Sequence, residues 1–357
     1  MKKYNKFQSG LYGLLIGDAL GVPYEFHSAA EIPSYSDIEM NPPSGFERAH
    51  RGVEPGTWSD DGAQALCLLD SIITCGKFDL KDFSDKLLSW YQEGKWAVDG
   101  MVFDIGIQTG EALMAYKSGM APEKCGMVRP NGKGNGALMR TLPLALWHNG
   151  TDKELVIDAH SQCLITHGNI CNQVCCALYC LVARSLLNDS DFDQALENAI
   201  QVLRNIYREM PVTVQVGLHT PLCRPYKRIK QEGNGVIYMR SLPHSVTEQP
   251  LAELLQMPEY EQELEWSVRP DEPWEGSGSG YVVDCLRSAF MIMKHATSYE
   301  EAVKQAIMLG DDTDTTACVT GGLAGILFGF ENIPSRWYNA LRGKENVENL
   351  IMLLKGE

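Results

Sequence analysis

The sequence predicts an all-α protein, and three observations carry that expectation. Apolar residues recur at helical spacing along most of the chain. Alternation suited to strands is scarce, and "GVIYMRSL" at 235–242 is the best candidate for one. Clusters rich in glycine and proline, such as "NPPSGFE", "RPNGKGNG" and "PDEPWEGSGSG", punctuate the helical stretches.

Taken in order, the opening "MKKYNKFQSGLYGLLIG" has a basic start and a short apolar run, but Asp18 interrupts it and no small-residue cleavage site follows. It reads as the first helix and not as a secretion signal. Leu66, Leu69, Ile72 and Ile73 repeat at helical spacing after "WSDDGAQ". Phe83, Leu87, Leu88 and Trp90 do so after a polar turn at Lys77–Lys81. Further helices are expected at Asp104–Tyr116, Glu154–Ile165, Asn169–Leu187, Phe192–Arg208, Val283–His295, Tyr299–Leu309 and Val347–Leu354. Met210 to Glu275 is the least regular region and is expected to carry long loops. Neither an internal repeat nor a low-complexity linker occurs, so residues 1–357 are expected to form a single domain.

Composition sets the outer limits. Apolar residues make up 44% and charged residues 22%, enough for a substantial core. The net charge is −15 with no run of Lys and Arg, which argues against nucleic acid or an anionic membrane as partner. An anionic ligand would then need local help from a metal or from helix N-termini. The 11 cysteines include a cluster at Cys163, Cys171, Cys175, Cys176 and Cys180 and form no CxxC pair. They read as reduced, buried thiols of a cytoplasmic protein. No stretch is expected to reach the roughly 18 apolar residues that span a bilayer.

Two acid clusters stand out. "LGDDTDTTACVTGG" (309–322) places Asp311, Asp312 and Asp314 within four residues, ahead of a small-residue helix. Carboxylates about 4 Å apart repel by roughly 4 kcal/mol at an effective dielectric near 20, so something must neutralise them. "GTWSDDGAQALCLLDSI" has the same grammar, with Ser59, Asp60 and Asp61 at a helix start. Ser59 alone would be an ordinary cap, but two carboxylates exceed what capping needs. Neither stretch contains Lys or Arg. If the two helix starts meet, Asp60, Asp61, Asp312 and Asp314 with the hydroxyls of Ser59 and Thr315 would suit hard divalent ions. An EF-hand loop does not fit, because its sixth and twelfth positions counted from Asp311 are Thr316 and Gly322. Three glycine-rich stretches, 13–26 with Asp18 and Glu25, 132–140 and 276–286, allow close backbone approach to a ligand. "THGN" adds His167 beside a helix start.

The order of "IGDALGVPYEF", "WSDDGAQALCLLDSI", "GNGALMRTLPLAL", "THGN", "GSGSGYVVDCL" and "GDDTDTT" resembles the ADP-ribosylglycohydrolase family, from about Phe7 to Phe330. The resemblance implies an all-α, mostly orthogonal helix bundle with a binuclear Mg²⁺ or Mn²⁺ centre. It implies hydrolysis of the bond between ADP-ribose and a protein side chain, most often arginine. Matched by motif, Ser59, Asp60 and Asp61 look like the first metal-ligand set, and Asp312, Asp314 and Thr315 like the second. Glu25 resembles a glutamate beside the metals that responds to ligand. Gly134, Asn135, Gly136 and His167 resemble the lining of the ADP-ribose cleft, with Ser277, Gly278 and Tyr281 facing the same ligand.

Two departures from the family pattern bear on the metals. Gly62 stands where relatives usually carry threonine, and Asp311 where glycine is common. By the same resemblance Glu25, Asp60, Asp61 or Asp314 would take a proton from the attacking water, and Tyr281 or Trp274 would stack on adenine. The implied partners are ADP-ribosylated proteins and ADP-ribose, with an ADP-ribosylating toxin or transferase as a further one. Two other readings stay open. "DTDTT" fits a haloacid-dehalogenase-like phosphatase motif, without the hydrophobic strand that should precede it. The chain could also be a non-catalytic binder of ADP-ribose or a toxin.

Overall fold

The structure is a computed structural model that describes residues 2–129, 131–210 and 259–355. Its longer helices are α1 (Lys2–Gly21), α2 (Asp60–Cys75), α3 (Leu80–Glu93), α4 (Ile107–Lys117), α5 (Leu142–Trp147), α6 (Asp152–Cys163), α7 (Ile170–Leu187) and α8 (Phe192–Glu209). After the undescribed stretch come α9 (Glu259–Glu263), α10 (Val282–His295), α11 (Tyr299–Ile307), α12 (Thr313–Phe328), α13 (Ser335–Ala340) and α14 (Lys344–Lys355). The described residues contain no strand, only two isolated bridges, so the protein is all-α as expected. The proposed strand at 235–242 lies outside the described residues.

The glycines of α1 decide where that helix goes. A Cβ at Gly13, Gly17 or Gly21 would fall 2.4 Å from the Gly321 carbonyl oxygen, 2.1 Å from that of Ala317 and 2.4 Å from Asp314 Cα. Side chains there are sterically excluded, so α1 lies antiparallel on α12 with backbone against backbone. The consequence is functional. The C-terminal end of α1, which leads to Glu25, is delivered to the N-terminal end of α12, which carries Asp314.

α7 is the central helix, packed against α5, α6, α8, α10 and α12. By length and composition it could cross a membrane, contrary to the expectation that no segment would. Its role is different, because 83% of its 18 residues are buried inside the protein. Cys171, Cys175, Cys176 and Cys180 lie along it as buried free thiols beside Cys163, acting as small apolar side chains.

Helix boundaries follow local chemistry. Ser59 caps α2 by accepting from Asp61 N at 3.3 Å, and Gly76 ends the helix in the left-handed region at φ 65°. Thr151 and Glu154 form a capping box on α6. The helix expected from Asp104 starts only at Ile107, because Asp104 has φ 58° and cannot continue a right-handed turn. Within the irregular region, α9 runs into a single π-helical turn at Leu264–Val268.

Candidate metal centre and ligand cleft

The two acid-bearing helix starts meet. Thr315 Oγ1, in the first turn of α12, donates to Asp61 Oδ1, in the first turn of α2, at 3.4 Å. Asp18, fully buried on α1, fixes the start of α2 by accepting from Ser59 N at 2.9 and 3.1 Å and from Gly62 N at 2.7 Å. Gly62 is closely enclosed. A Cβ there would lie 2.8 Å from Leu15 Cδ2 and 2.9 Å from Trp58 Cβ.

Around this seam the carboxylates converge. Glu25, Asp312 and Asp314 present ligand atoms within 4.8 Å of one another. Glu25, His50 and Asp104 form a second such group, sharing Glu25. His50 Nε2 lies 2.6 Å from Glu25 Oε2 and 3.7 Å from Asp104 Oδ1. Asn135 Nδ2 donates to Asp312 Oδ2 at 2.8 Å, and Gln64 Nε2 to Asp60 Oδ2 at 2.7 Å. Two buried carboxylate oxygens, Asp61 Oδ2 and Asp314 Oδ2, have no protein partner. Buried oxygens of this kind are normally satisfied. A hard divalent cation matches both the charge and the donor set, so these residues fit a metal.

Electrostatics agree with the geometry. Burial, reinforced by neighbouring carboxylates, pushes Asp60, Asp61 and Asp314 well above the usual carboxylate range. Burial likewise lifts Asp18 to about 7 and Glu25 to about 8, the latter opposed by the His50 hydrogen bond. In the metal-free protein, therefore, the folded state keeps protons that the unfolded chain has already lost, and stability falls as pH rises through these values. We expect the melting temperature of chelator-treated protein to drop as pH rises from about 4 to about 8, and Mg²⁺ or Mn²⁺ to abolish the drop by binding the ionised form. Below about pH 6.5 His160 and His167, which burial holds neutral down to about 3, oppose this trend, because the unfolded chain charges them first. A flat metal-free profile across neutral pH in scanning calorimetry would contradict this account.

The sequence shows no cation in either cluster, yet the fold supplies one. Arg140 is completely buried and donates to Gln64 Oε1 at 2.8 Å, Gln162 Oε1 and O at 3.0 Å each, and Thr166 Oγ1 at 2.8 Å. Gln64 passes this polarity on to Asp60, while Thr166 Oγ1 lies 2.8 Å from His167 Nδ1. One guanidinium thus ties the first acid cluster to the cleft histidine.

The glycine turn forms the opposite wall. Gly134 bridges Tyr281, and Asn135 N donates to Gly280 O at 3.0 Å. A Cβ at Gly136 would stand 2.8 Å from His167 Cε1, so this glycine and the neutral His167 pack edge to edge. Ser277 and Gly278 brace the second acid loop through their backbone groups. Ser277 exchanges hydrogen bonds with Ser288 on α10 (2.8 and 2.7 Å), and Gly278 O accepts from Asp312 N at 2.8 Å. Exposed Gly280 lies against the same loop, since a Cβ there would be 3.0 Å from Asp312 Oδ2. The Tyr281 hydroxyl turns toward Cys171 Sγ at 3.7 Å, and Trp274 packs against Arg287 and Phe290.

Reading the sequence also missed His50, Asp104, Gln64 and Arg140. Gln64 and Arg140 lie inside the stretches "WSDDGAQ" and "GNGALMR", whereas His50 and Asp104 sit in no pattern of their own. The only shared trait of His50 and Asp104 is a left-handed backbone, φ 48° and 58°, which sequence does not display.

Compared with known proteins, the chain matches the ADP-ribosylglycohydrolase family across residues 1–357. The chain belongs to the ADP-ribosylglycohydrolase family. Its chemistry is therefore hydrolysis of a glycosidic bond to ADP-ribose. Among its relatives, ADP-ribosylarginine hydrolase Tri1 of Serratia proteamaculans is 28% identical over 347 residues, covering 97% of this chain and 78% of that one. ADP-ribosyl-[dinitrogen reductase] glycohydrolase of Rhodospirillum rubrum is 23% identical over 333 residues, covering 92% and 87%. A solved ADP-ribosylglycohydrolase-related protein complex superposes with TM-score 0.68 at 26% identity, covering 99% and 98% of the two chains. Within this family, the acid clusters of the structure are residues that could hold metal.

Proposed function

We propose that this chain removes ADP-ribose from arginine side chains of proteins, using two Mg²⁺ or Mn²⁺ ions. The observation that carries the reading is the convergence of Glu25, Asp312 and Asp314 beside two unpartnered buried oxygens, next to a glycine turn. The Tri1 relatives, which are ADP-ribosylarginine hydrolases, point the same way. Ser59, Asp60, Asp61, Asp312, Asp314 and Thr315 would hold the ions, with Glu25 between the two groups of carboxylates. When bound, the ions would orient the ribose hydroxyls and lower the pKa of a water.

The chain's own residues do the rest. Asn135 fixes the rotamer of Asp312, and Gln64 that of Asp60. His50 holds one oxygen of Glu25, which leaves the other to receive a proton from water attacking the ribose C1. Asp104, beside both Glu25 and Asp314, adds a carboxylate that would welcome a departing guanidinium. That cation needs no general acid, which accords with a site holding carboxylates and a neutral His167.

Proteins modified by an ADP-ribosylating toxin or transferase are the partner class of this proposal. Its place of action is the cytoplasm, a setting that suits ten described cysteines without a disulfide. The test is release of free ADP-ribose from arginine- and serine-linked peptides with Mg²⁺, Mn²⁺ or chelator. Faster release from arginine, silenced by chelation and restored by metal, is expected. Faster release from serine would overturn the arginine assignment, and full turnover without metal would overturn the role of the acids. Binding of ADP-ribose without turnover of either substrate would favour the non-catalytic reading.

A further inference from the structure

Several large apolar side chains at the mouth of the site are left facing solvent. Phe26, directly after Glu25, is 70% exposed, and Ile107, three residues after Asp104, is 83% exposed. Phe26 is also held at φ 62°, a conformation a bulky residue adopts at a cost of about 1–3 kcal/mol. Two short backbone bonds enforce it, Phe26 N to Asp311 O at 2.7 Å and Asp311 N to His27 O at 2.6 Å. Glycine would take this backbone without strain, so the ring itself is what the position retains. Phe26 lies 5.5 Å from the His50 ring, and His50 lies 5.1 Å from Phe103, ring centre to ring centre.

The order of groups across the site gives this collar its occupant. The glycine turn and Asn135 lie against Asp312, Asp314 and Glu25 lie beside it, Asp104 touches both Asp314 and the Glu25–His50 pair, and Phe26 and Phe103 flank His50. A substrate whose ADP moiety lies along the glycine turn and whose ribose C1 sits at the metal seam must project its leaving group past Glu25 toward the collar. The segment from Asp104 through Ile107 to Gln108 borders both ends, since Gln108 Nε2 donates to Gly132 O and Thr166 O. Acidic groups inside and apolar groups outside complement an arginine flanked by polypeptide, a cationic head on a partly apolar chain.

Building on the arginine reading above, we propose that Phe26, Phe103 and Ile107 form a docking collar for the polypeptide around the modified arginine. The enzyme then distinguishes protein-linked ADP-ribosylarginine from the free amino-acid conjugate. The collar touches the peptide and not the ADP-ribose. Its loss therefore raises KM for a peptide substrate and leaves the free conjugate alone.

The experiment compares an ADP-ribosylarginine peptide with free ADP-ribosylarginine in the wild type, Ile107→Ser and Phe26→Gly, each with Mg²⁺. Burying one such side chain is worth about 1.5–3 kcal/mol, so each variant is expected to raise the peptide KM about tenfold or more. The peptide kcat, and both constants for the free conjugate, are expected to stay within about twofold, as for loss of uniform binding. Ile107 is on the surface and Phe26→Gly relieves backbone strain, so folding is preserved. Unchanged peptide KM, or equal losses on both substrates as a base-stacking role would give, overturns the collar. Failure of the wild type to cleave either arginine conjugate would instead overturn the function on which it rests.

Discussion

Asp314→Asn is expected to lower kcat about a thousandfold, equivalent to about 4 kcal/mol of barrier, and at the same time to raise the melting temperature of the metal-free protein. Both effects come from one atom. Asp314 Oδ2 is buried without a partner, and Asp314 is surrounded by Glu25, Asp61, Asp104 and Asp312. In the working enzyme this crowding gives metal ligands of high charge density. In the metal-free protein the same crowding is repulsion in a poorly solvated place, relieved only by protonation. Asparagine keeps the shape and removes the charge, so the fold loses a cost while the ligand set loses an anion. A gain of about 1 kcal/mol corresponds to roughly 1–1.5 °C in a chain of 357 residues. Asp311→Asn serves as the comparison. Asp311 is exposed and lies outside both converging groups, so neither turnover nor melting should move appreciably. Titration calorimetry with Mn²⁺, turnover assays and melting curves read out the three quantities. An Asp314→Asn enzyme with wild-type turnover would show that these acids do not hold the catalytic ions.

Arg140→Met is expected to destabilise the fold by about 3–5 kcal/mol, as found when one partner leaves a buried charged network. The side chain is fully buried and donates four hydrogen bonds, and its guanidinium lies 5.2 Å from the Phe83 ring centre. Methionine fills much of the volume but leaves the acceptors on Gln64, Gln162 and Thr166 unmatched. Urea unfolding measures the loss. The functional share is read from Gln64→Leu, which keeps the Arg140 side chain and three of its four acceptors while removing the donor to Asp60 Oδ2. Outer contacts of this sort typically tune metal affinity by about 10–100-fold. We expect Gln64→Leu to weaken Mg²⁺ or Mn²⁺ binding within that range, with turnover recovering at high metal concentration. If neither affinity nor metal-dependent turnover changes, the Arg140–Gln64 relay is packing alone.

Much of the architecture was legible in the residues. Helical spacing located α2, α3, α6, α7, α8, α10 and α11 to within a few residues, because an amphipathic face facing a core leaves its period in the sequence. The main shift, the late start of α4, came from backbone conformation at Asp104 that residue type does not reveal. Ser59–Asp61 and Asp312–Thr315 could be singled out because each puts more carboxylate at a helix start than capping uses. The apparent absence of a counter-cation was misleading for a simple reason. Arg140 lies 76 residues beyond Gln64 and acts through it, so no window of sequence contains both.

By itself, the sequence determined the helical class, the two acid-bearing helix starts and, in the glycines at 13, 17 and 21, the means of bringing α1 onto α12. Those are local properties, set by periodicity, charge and side-chain size. Only the tertiary structure decided which groups share the site. Glu25 joins Asp312 and Asp314, His50 and Asp104 join Glu25, and Ser277 and Gly278 brace the loop. Their proximity depends on helices packed at a distance set by glycine and on loops held in left-handed conformations. Both are consequences of the whole chain closing on one core, and no short stretch of residues records them.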